Sequence, residues 1–198
     1  MRKFTRLVAV ATAFTAMVSG AQAVPIEWTV ASGGNGHYYD FVSAAGTWDT
    51  ARAAALASSH NGQAGYLITL TSAAEQAFYI AAFGAVDGWI GANDRAVEGE
   101  WRWADGPEAG VLFWEGGPSG TVTGFASWNV GEPNNVGAGG EDVAHFQGGL
   151  WNDLPDGAGR GGYLVEFNAA PAAVPEPVTL SLLGAGLAGI GIARRRKA

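Results

Sequence analysis

The segment Gly131-Glu132-Pro133-Asn134-Asn135 is followed by Glu141-Asp142 and then by Trp151-Asn152-Asp153. These short groups, and an earlier one at Asp94-Arg95-Ala96-Val97-Glu98, collect carboxylates and side-chain amides in stretches that are typical of loops. Each group alone is an ordinary acidic turn, but together they suit a hard cation that takes oxygen ligands. Ca²⁺ fits best because it accepts about six to eight oxygens in loose geometry, whereas Mg²⁺ prefers a tighter octahedron.

Zinc and thiol chemistry fit this sequence poorly. The chain has no Cys, which excludes disulfides, thiolate nucleophiles and Cys-ligated zinc. Its three histidines, His37, His60 and His145, are not spaced as zinc ligands usually are.

The charge distribution limits the classes of partner that the protein can bind. Between residues 24 and 173 the chain has four Arg, no Lys and 17 carboxylates, a formal charge of −13. A body with that charge repels phosphate backbones and anionic lipid and attracts cations. We therefore expect no nucleic-acid partner.

The first 23 residues are typical of a secretory signal peptide. Arg2, Lys3 and Arg6 precede an apolar run at residues 7–18, and Ala21-Gln22-Ala23 fits the small-residue cleavage pattern. We expect signal peptidase to cleave after Ala23. The alternative is a membrane anchor, for which the apolar run is short, since a span needs roughly 20 residues.

The last 25 residues have three parts in a fixed order. Val174-Pro175-Glu176-Pro177 precedes an apolar run at residues 178–193 and a basic cluster at residues 194–197. Physically this is a tail held in the membrane, and it resembles the PEP-CTERM sorting signal of Gram-negative bacteria. The resemblance implies transient retention in the inner membrane, exosortase processing, and release or attachment at the cell surface. A permanent transmembrane helix is the alternative.

The remaining residues, 24–168, have the size of one domain, followed by a linker at residues 169–173. Thr47 is placed to cap a helix at residues 48–57, and Ser72-Ala73-Ala74-Glu75 is a capping box for a helix that ends near Phe83. Eight Trp in this domain predict an aromatic core. Strands are predicted at residues 66–70, 89–91, 100–103, 143–146 and 163–167, and glycine-rich loops at residues 106–124 and 131–140. This order predicts an α+β fold.

Seven short motifs follow one another along the domain. They are Thr47-Trp48-x-x-Ala51, Trp89-Ile90-Gly91, Trp101-x-Trp103-x-Asp105-Gly106, Gly131-Glu132-Pro133-Asn134-Asn135, Glu141-Asp142, Trp151-Asn152-Asp153 and Tyr163-Leu164-Val165-Glu166-Phe167. This ordered set resembles the C-type lectin-like domain, and the match extends over residues 37–167. The resemblance implies a double-loop α+β fold with two helices and short antiparallel strands, whose long loops carry calcium and sugar.

Carried over by position, the resemblance implies two calcium sites. The principal site would use Glu132, Asn134, Glu141, Asn152 and Asp153. Sugar hydroxyls would contact Glu132, Asn134, Glu141 and Asn152, and the Glu-Pro-Asn triplet favours mannose- or glucose-like sugars. The Glu132–Pro133 peptide bond should be cis. A weaker auxiliary site would use Asp94, Glu98, Asn135 and Asp142, with Glu141 near both sites.

Two departures from the family pattern bear on the fold. The family usually has paired disulfides, but here Ala55, Val143, Asp156 and Val165 lie at or near the expected cysteine positions. Ala and Val at these positions are compatible with apolar packing in place of the bridges. The loop at residues 106–127 is also long, and its rings at Phe113, Trp114 and Phe125 form either a local core or a platform for sugar faces.

These observations predict an exported, calcium-dependent carbohydrate-binding protein that is not an enzyme. Its partner would be an extracellular polysaccharide or glycan, at the surface of a Gram-negative bacterium. The alternative is a structural or adhesive surface domain of the same fold that binds protein. A hydrolase that uses Glu132 and Glu141 as paired carboxylates is less favoured, because both are better explained as calcium ligands.

Overall fold

The computed structural model describes residues 24–137 and 139–170 of the 198-residue chain. The predicted signal peptide and the predicted sorting segment lie outside these residues, so their boundaries and that of the linker stay predictions. None of the helices in the described ranges combines the length and the apolar character of a membrane span. The predicted apolar run at residues 178–193 is not part of those ranges.

The described residues form two α-helices and eleven short strands, which confirms the predicted α+β class. The helices are α1 (Trp48–Ala57) and α2 (Ala73–Phe83), and a short 3-10 helix covers Val30–Ser32. The strands are β1 (Ile26–Glu27), β2 (Tyr38–Val42), β3 (Ser59–His60), β4 (Gln63–Leu67), β5 (Asp87–Asn93), β6 (Glu100–Trp103), β7 (Leu112–Glu115), β8 (Thr121–Val122), β9 (Val143–Gln147), β10 (Leu150–Leu154) and β11 (Tyr163–Phe167).

The strands form one branched sheet in which β11 lies at the centre. One path through the sheet runs β1-β2-β11-β5-β6-β7-β8, while β4 also pairs with β11 and β9 joins β5 to β10. The pairs are antiparallel except β11 with β5, which meet in parallel at Tyr163 and Trp89. A long segment between β8 and β9 carries the Glu-Pro-Asn triplet, as the double-loop fold implies.

Both helices begin and end where the sequence predicts. The Thr47 side chain accepts a hydrogen bond from the Thr50 N–H, and the Ser72 side chain accepts one from the Glu75 N–H. One half of the predicted capping box differs, because the Glu75 carboxylate accepts the N–H of Thr71 at 2.7 Å. Glu75 also accepts the hydroxyl of Tyr39, at 2.6 Å, so the helix start is tied to β2.

One predicted strand and two predicted loops need correction. The strand predicted at residues 66–70 ends at Leu67, although Ile68 and Leu70 are fully buried. An apolar run marks burial, and periodicity alone does not separate a strand from a buried loop. The predicted loop at residues 106–124 contains β7 and β8, and the Trp151-Asn152-Asp153 group lies within β10.

Aromatic side chains dominate the core, as the composition predicts. The ring of Trp103 stacks on Phe113 at 4.5 Å between centroids and meets the edge of Trp151 at 5.7 Å. Phe113 is buried, and Trp114 and Phe125 pack against the same cluster. These contacts favour a local core over a platform for sugar faces.

Two kinds of contact are found at the positions where the family pattern has cysteines. Ala55, Val143 and Val165 are buried together in one apolar cluster beside Trp48, as predicted. Asp156 differs, because its carboxylate lies 2.8 Å from the Arg95 guanidinium. At this position an ion pair, rather than apolar packing, joins the two segments.

Candidate functional site

The polar groups that the sequence singles out are held against the β9–β10 hairpin. In that hairpin Asn152 pairs with His145 and Asp153 with Ala144. The segment that leads to the Glu-Pro-Asn triplet is bonded to the same hairpin: the Trp151 N–H donates to the Ser127 carbonyl, and the Asn129 N–H donates to the Trp151 carbonyl. Residues distant in sequence are thereby brought to one place.

Asp153 lies at the centre of the site. Its side chain is fully buried, and its two carboxylate oxygens accept the backbone N–H groups of Asn134 and Asn135 at 3.1 and 2.8 Å. The Asn152 side-chain amide donates to the Asp153 backbone carbonyl. Asp153 is therefore in direct contact with Asn134 and Asn152, two other residues predicted to form the principal site.

Glu132 joins this group through its carboxylate. The Glu132–Pro133 peptide bond is cis, as predicted. The Glu132 carboxylate contacts that of Asp153, and its Oε2 atom is buried without a hydrogen-bond partner among the described residues. Burial, followed by the contact with Asp153 and the charge of Glu141, raises the pKa of Glu132 to about 7. A nearby cation would relieve this repulsion.

Glu141 is oriented by the backbone of the same loop. Its Oε2 accepts the Val136 N–H at 3.0 Å, and that N–H is shared with Oδ1 of Asn134, also at 3.0 Å. Burial raises the pKa of Glu141, and the negative charge of Asp153 adds to that effect. The orienting role of Val136 was missed from sequence, because a backbone donor leaves no mark in residue identity.

The five predicted principal residues therefore form one contiguous group. Within residues 24–137 and 139–170, no set of three or more His, Asp or Glu side chains alone has the arrangement of a metal site. This finding includes the predicted carboxylates Glu132, Glu141 and Asp153, which do not by themselves converge as a metal site, so a shell at this place would also need the amide oxygens of Asn134 and Asn152. The buried, unpartnered Glu132 oxygen beside the Asp153 carboxylate fits a calcium ion, which accepts carboxylate, amide and carbonyl oxygens.

The predicted auxiliary residues centre on Asp94. This side chain is 3% exposed, its Oδ2 accepts the Gly99 N–H at 2.8 Å, and its Oδ1 is buried without a partner among the described residues. Burial raises the pKa of Asp94 to about 7, and the charges of Glu98 and Asp142 act in the same direction. Glu98 itself is exposed.

Asn135 links the two groups. Its backbone is left-handed, with φ of 51°, and its Oδ1 accepts the Glu141 N–H at 2.7 Å. Gly140 lies beside it: a Cβ at this glycine would be 3.0 Å from Asn135 Oδ1 and 3.3 Å from Asp142 Oδ1. The absence of a side chain at Gly140 leaves room for these two oxygens.

Arg95 is a further residue of the site region that sequence reasoning missed. It follows Asp94, and its guanidinium donates to Asp49 in α1 at 2.7 Å and to Asp156 after β10 at 2.8 Å. The available signal was its rarity, since Arg95 is one of four Arg between residues 24 and 173. A scarce cation among many carboxylates is expected to pair with several of them.

Comparison with solved structures agrees with this architecture. The C-type lectin CEL-I from Cucumaria echinata covers 69% of this chain and 92% of its own, with a TM-score of 0.54 and 27% identity. The cow CD23 carbohydrate-recognition domain, solved in the presence of a GlcNAc2Man3 oligosaccharide, covers 66% of this chain and 86% of its own, with a TM-score of 0.50 and 28% identity. The folded part thus has the C-type lectin-like fold.

Sequence relatives are similar over the same region. The chain is 38% identical over 159 residues to halomucin from Haloquadratum walsbyi, which is 75% of this chain and 2% of halomucin. It is 37% identical over 121 residues to human C-type lectin domain family 17, member A, which is 60% of this chain and 26% of that protein. The chain therefore spans only a small part of these relatives. Similarity to lectin domains agrees with the expectation that the protein is not an enzyme.

The C-terminal segment also matches a known family. Residues 173–197 match the PEP-CTERM protein-sorting motif. This motif indicates export and sorting to the cell surface. The described residues therefore have the C-type lectin-like fold, and the chain carries a PEP-CTERM motif after them.

Proposed function

We propose that this protein is an exported lectin that binds carbohydrate through a calcium ion. The ion would be held by Glu132, Asn134, Glu141, Asn152 and Asp153. The observation that carries the proposal is the buried Glu132 Oε2 atom, which has no partner among the described residues and lies beside the carboxylate of Asp153. A buried carboxylate oxygen without a donor is costly, and a cation would satisfy it.

Electrostatics support calcium as the ligand. Glu132, Glu141 and Asp153 repel one another, and the folded part has no Lys that could neutralise them. Backbone N–H groups already fix the Asp153 carboxylate and the Glu141 carboxylate, so both are oriented without the ion. A divalent ion would gain a prepared set of oxygens, which lowers the ordering cost of binding.

Sugar binding would follow from the incomplete shell that protein ligands leave around calcium. Two neighbouring sugar hydroxyls can replace water on the ion. Glu132 and Glu141 can accept hydrogen bonds from these hydroxyls, and the amides of Asn134 and Asn152 can donate to them. The Glu-Pro-Asn triplet and the mannose-containing oligosaccharide in the cow CD23 structure support a mannose- or glucose-type sugar.

The auxiliary group is proposed as a second, weaker calcium site. Asp94, Glu98, Asn135 and Asp142 would form it, with Glu141 nearby. The buried Oδ1 of Asp94, which lacks a partner among the described residues, supports the proposal. An exposed Glu98 and a neutral amide at Asn135 give this group less negative charge close to the ion.

The sorting motif supports a location for this activity. We propose that signal peptidase and an exosortase process the chain in a Gram-negative bacterium, with transient retention in the inner membrane. The lectin domain would then bind an extracellular polysaccharide or another glycan at the cell surface.

A glycan array tests the proposal. The exported, purified full chain is applied with calcium and again with excess chelator, beside the double variant Glu132→Gln with Asn134→Asp and the control Glu115→Gln, an exposed carboxylate on β7. We expect calcium-dependent binding to mannose- or glucose-type glycans, a shift towards galactose-type glycans in the double variant, and no change in the control.

Two outcomes would contradict the proposal. Glycan binding that survives the chelator would remove calcium from the mechanism. Calcium binding with no glycan bound would favour the alternative, a structural or adhesive domain that binds protein.

A further inference from the structure

A cleft of about 350 Å³ lies between α1 and the sheet, and shares no residue with the predicted calcium sites. Its walls come from α1, β2, β3 and β11, and its rim includes Val24 and Pro25 just before β1. The aromatic side chains of Tyr163 and Phe167 line one side. Cavities of this volume accommodate small ligands or the end of a chain.

The cleft contains a buried carboxylate. Asp40 on β2 lines it and is only 6% exposed. Its Oδ1 accepts the Phe41 N–H at 2.8 Å, while the described residues offer its Oδ2 no hydrogen-bond partner. Burial raises the pKa of Asp40, while the bond from the Phe41 N–H and the charge of His60 act in the opposite direction.

Among the described residues that line the cleft, His60 is the only basic side chain, and its positive charge acts on Asp40, whereas no Lys or Arg lies there. Between residues 24 and 173 there is no Lys, and each of the four Arg is paired with a carboxylate elsewhere. The pairs are Arg52 with Asp105, Arg95 with Asp49 and Asp156, Arg102 with Glu100, and Arg160 with Asp87. His60 lies in the cleft wall, where its ring packs against Tyr38 and Phe167.

The register of β1 brings the chain start close to Asp40. Ile26 pairs with Tyr39 in an antiparallel ladder. Continuing this register by one residue sets Pro25 opposite Asp40, and Val24 is the next residue. Opposite residues in such a pair lie about 5 Å apart, and their side chains point to the same face. Val24 is therefore the neighbour of the residue that lies opposite Asp40, which places its backbone nitrogen near that carboxylate.

We propose that the cleft beside Asp40 binds an ammonium group, and that its source is the α-amino group of Val24. The inference is independent of the lectin function and depends on cleavage of the predicted signal peptide after Ala23. Hydrolysis of the Ala23–Val24 amide by water leaves a carboxylate on Ala23 and an ammonium group on Val24. The precursor has only a neutral amide at that nitrogen, so the cation becomes available with processing and stabilises the exported form.

The test is a thermodynamic cycle on the full chain, exported from a Gram-negative host and purified after processing. Four proteins are compared: the natural chain, a chain with Ala-Gly inserted after Ala23, Asp40→Asn, and both changes together. Mass spectrometry first establishes the N-terminal residue. Asp40→Asn keeps the Oδ1 that accepts the Phe41 N–H, so the fold of β2 is preserved.

We expect each single change to lower the melting temperature by about 2–6 °C, and the combined change to lower it no further than one alone. Glu27→Gln is the control, because this exposed carboxylate on β1 is near the chain start but does not line the cleft. Glu27→Gln should not change the loss of melting temperature that the insertion causes. Cleavage at another bond overturns the Val24 assignment.

A titration with methylammonium chloride distinguishes the two sources of the ammonium group. The chain with the Ala-Gly insertion should bind methylammonium, and Asp40→Asn should abolish this binding. The natural chain should bind methylammonium at least ten-fold more weakly. Equal, Asp40-dependent binding by both chains would assign the cleft to a soluble amine and overturn the role of Val24. Additive melting shifts together with no Asp40-dependent methylammonium binding would overturn the ammonium site itself.

Discussion

The guanidinium of Arg95 lies over the ring of Trp48, with 4.6 Å between its central carbon and the ring centroid. The same group donates to Asp49 and Asp156, so it connects α1, the loop after β5 and the loop after β10. Asp156 is near a position at which the fold family usually has a cysteine. In this chain, a stacked and doubly paired arginine takes over the linking role at that position.

Arg95→Met should therefore destabilise the domain in a salt-dependent way. Two partly exposed ion pairs and one cation–π contact together contribute about 1–2 kcal/mol to the free energy of unfolding. Urea unfolding at 0.05 M and about 1 M NaCl measures this, and we expect the loss to shrink at high salt because exposed charges are screened. Arg102→Met is the control, since Arg102 pairs only with Glu100 among carboxylates of the described residues. An equal loss at both salt concentrations would assign the effect of Arg95 to packing alone.

Asp153→Asn should reduce the stabilisation that calcium gives. In the proposed site the carboxylate both contacts the ion and accepts two backbone N–H groups, and the amide oxygen preserves only one such acceptor. Calcium at about 100 times the dissociation constant stabilises a protein by about 2.7 kcal/mol, and we expect most of this to be lost in the variant. Thermal unfolding with calcium and with chelator measures it. A calcium-induced shift as large as in the natural chain would remove Asp153 from the ligand set.

The raised pKa values of Glu132 and Asp94 predict opposite effects of pH with and without calcium. Both values rise to about 7 from ordinary values of 4.5 and 3.8. A carboxyl group with a raised pKa contributes stability below its ordinary pKa, and this contribution is lost as pH rises through the folded-state value. In chelator, stability should therefore fall between about pH 4 and pH 7.

Calcium affinity should change in the opposite direction, because the ion competes with these protons. We expect about a ten-fold gain in affinity per pH unit below pH 7 for each proton displaced. Trp fluorescence titrations at pH 5.5, 6.5 and 7.5 measure the affinity, and Glu132→Gln should flatten the dependence. A dependence that persists unchanged in that variant would place the titrating group elsewhere.

Local chemistry explains which features could be predicted from the sequence. Thr47 and Ser72 mark helix starts because their side chains bond to N–H groups three residues later. The cis bond at Glu132–Pro133 was instead implied by the resemblance of the Glu-Pro-Asn segment to the C-type lectin-like domain. In contrast, Asp153 belongs to a strand because Trp151 is drawn into the core, and that burial depends on distant partners.

Contacts between residues that are distant in the sequence could not be predicted from it. Neither the pairing of Arg95 with Asp156 nor the cleft beside Asp40 has a local signature, because each depends on elements that meet only in the folded chain. The partner of Glu75 shows the same limit on a smaller scale. Its position predicts a bond to the backbone of Ser72, but the folded loop offers the Thr71 N–H instead.

Gly140 is a glycine for two reasons: its backbone is left-handed, and a side chain would press on residues of the proposed calcium sites. Its φ is 78°, in the left-handed region, and an added Cβ would press on Asn135 Oδ1 and Asp142 Oδ1. Gly148 is a matched control, with φ of 64° and open space at the Cβ position. We expect alanine at either glycine to cost about 1 kcal/mol in chelator, because both force an L-residue into the left-handed region.

Only Gly140→Ala should also weaken calcium binding. Its methyl group would displace the Asn135 amide, whose Oδ1 holds the Glu141 N–H, so that both proposed calcium sites are disturbed by one substitution. Calcium titration by Trp fluorescence should show a loss of about ten-fold or more for Gly140→Ala and less than two-fold for Gly148→Ala. If the two variants lost affinity equally, calcium binding would be responding to the stability of the domain rather than to the arrangement of Asn135 and Asp142.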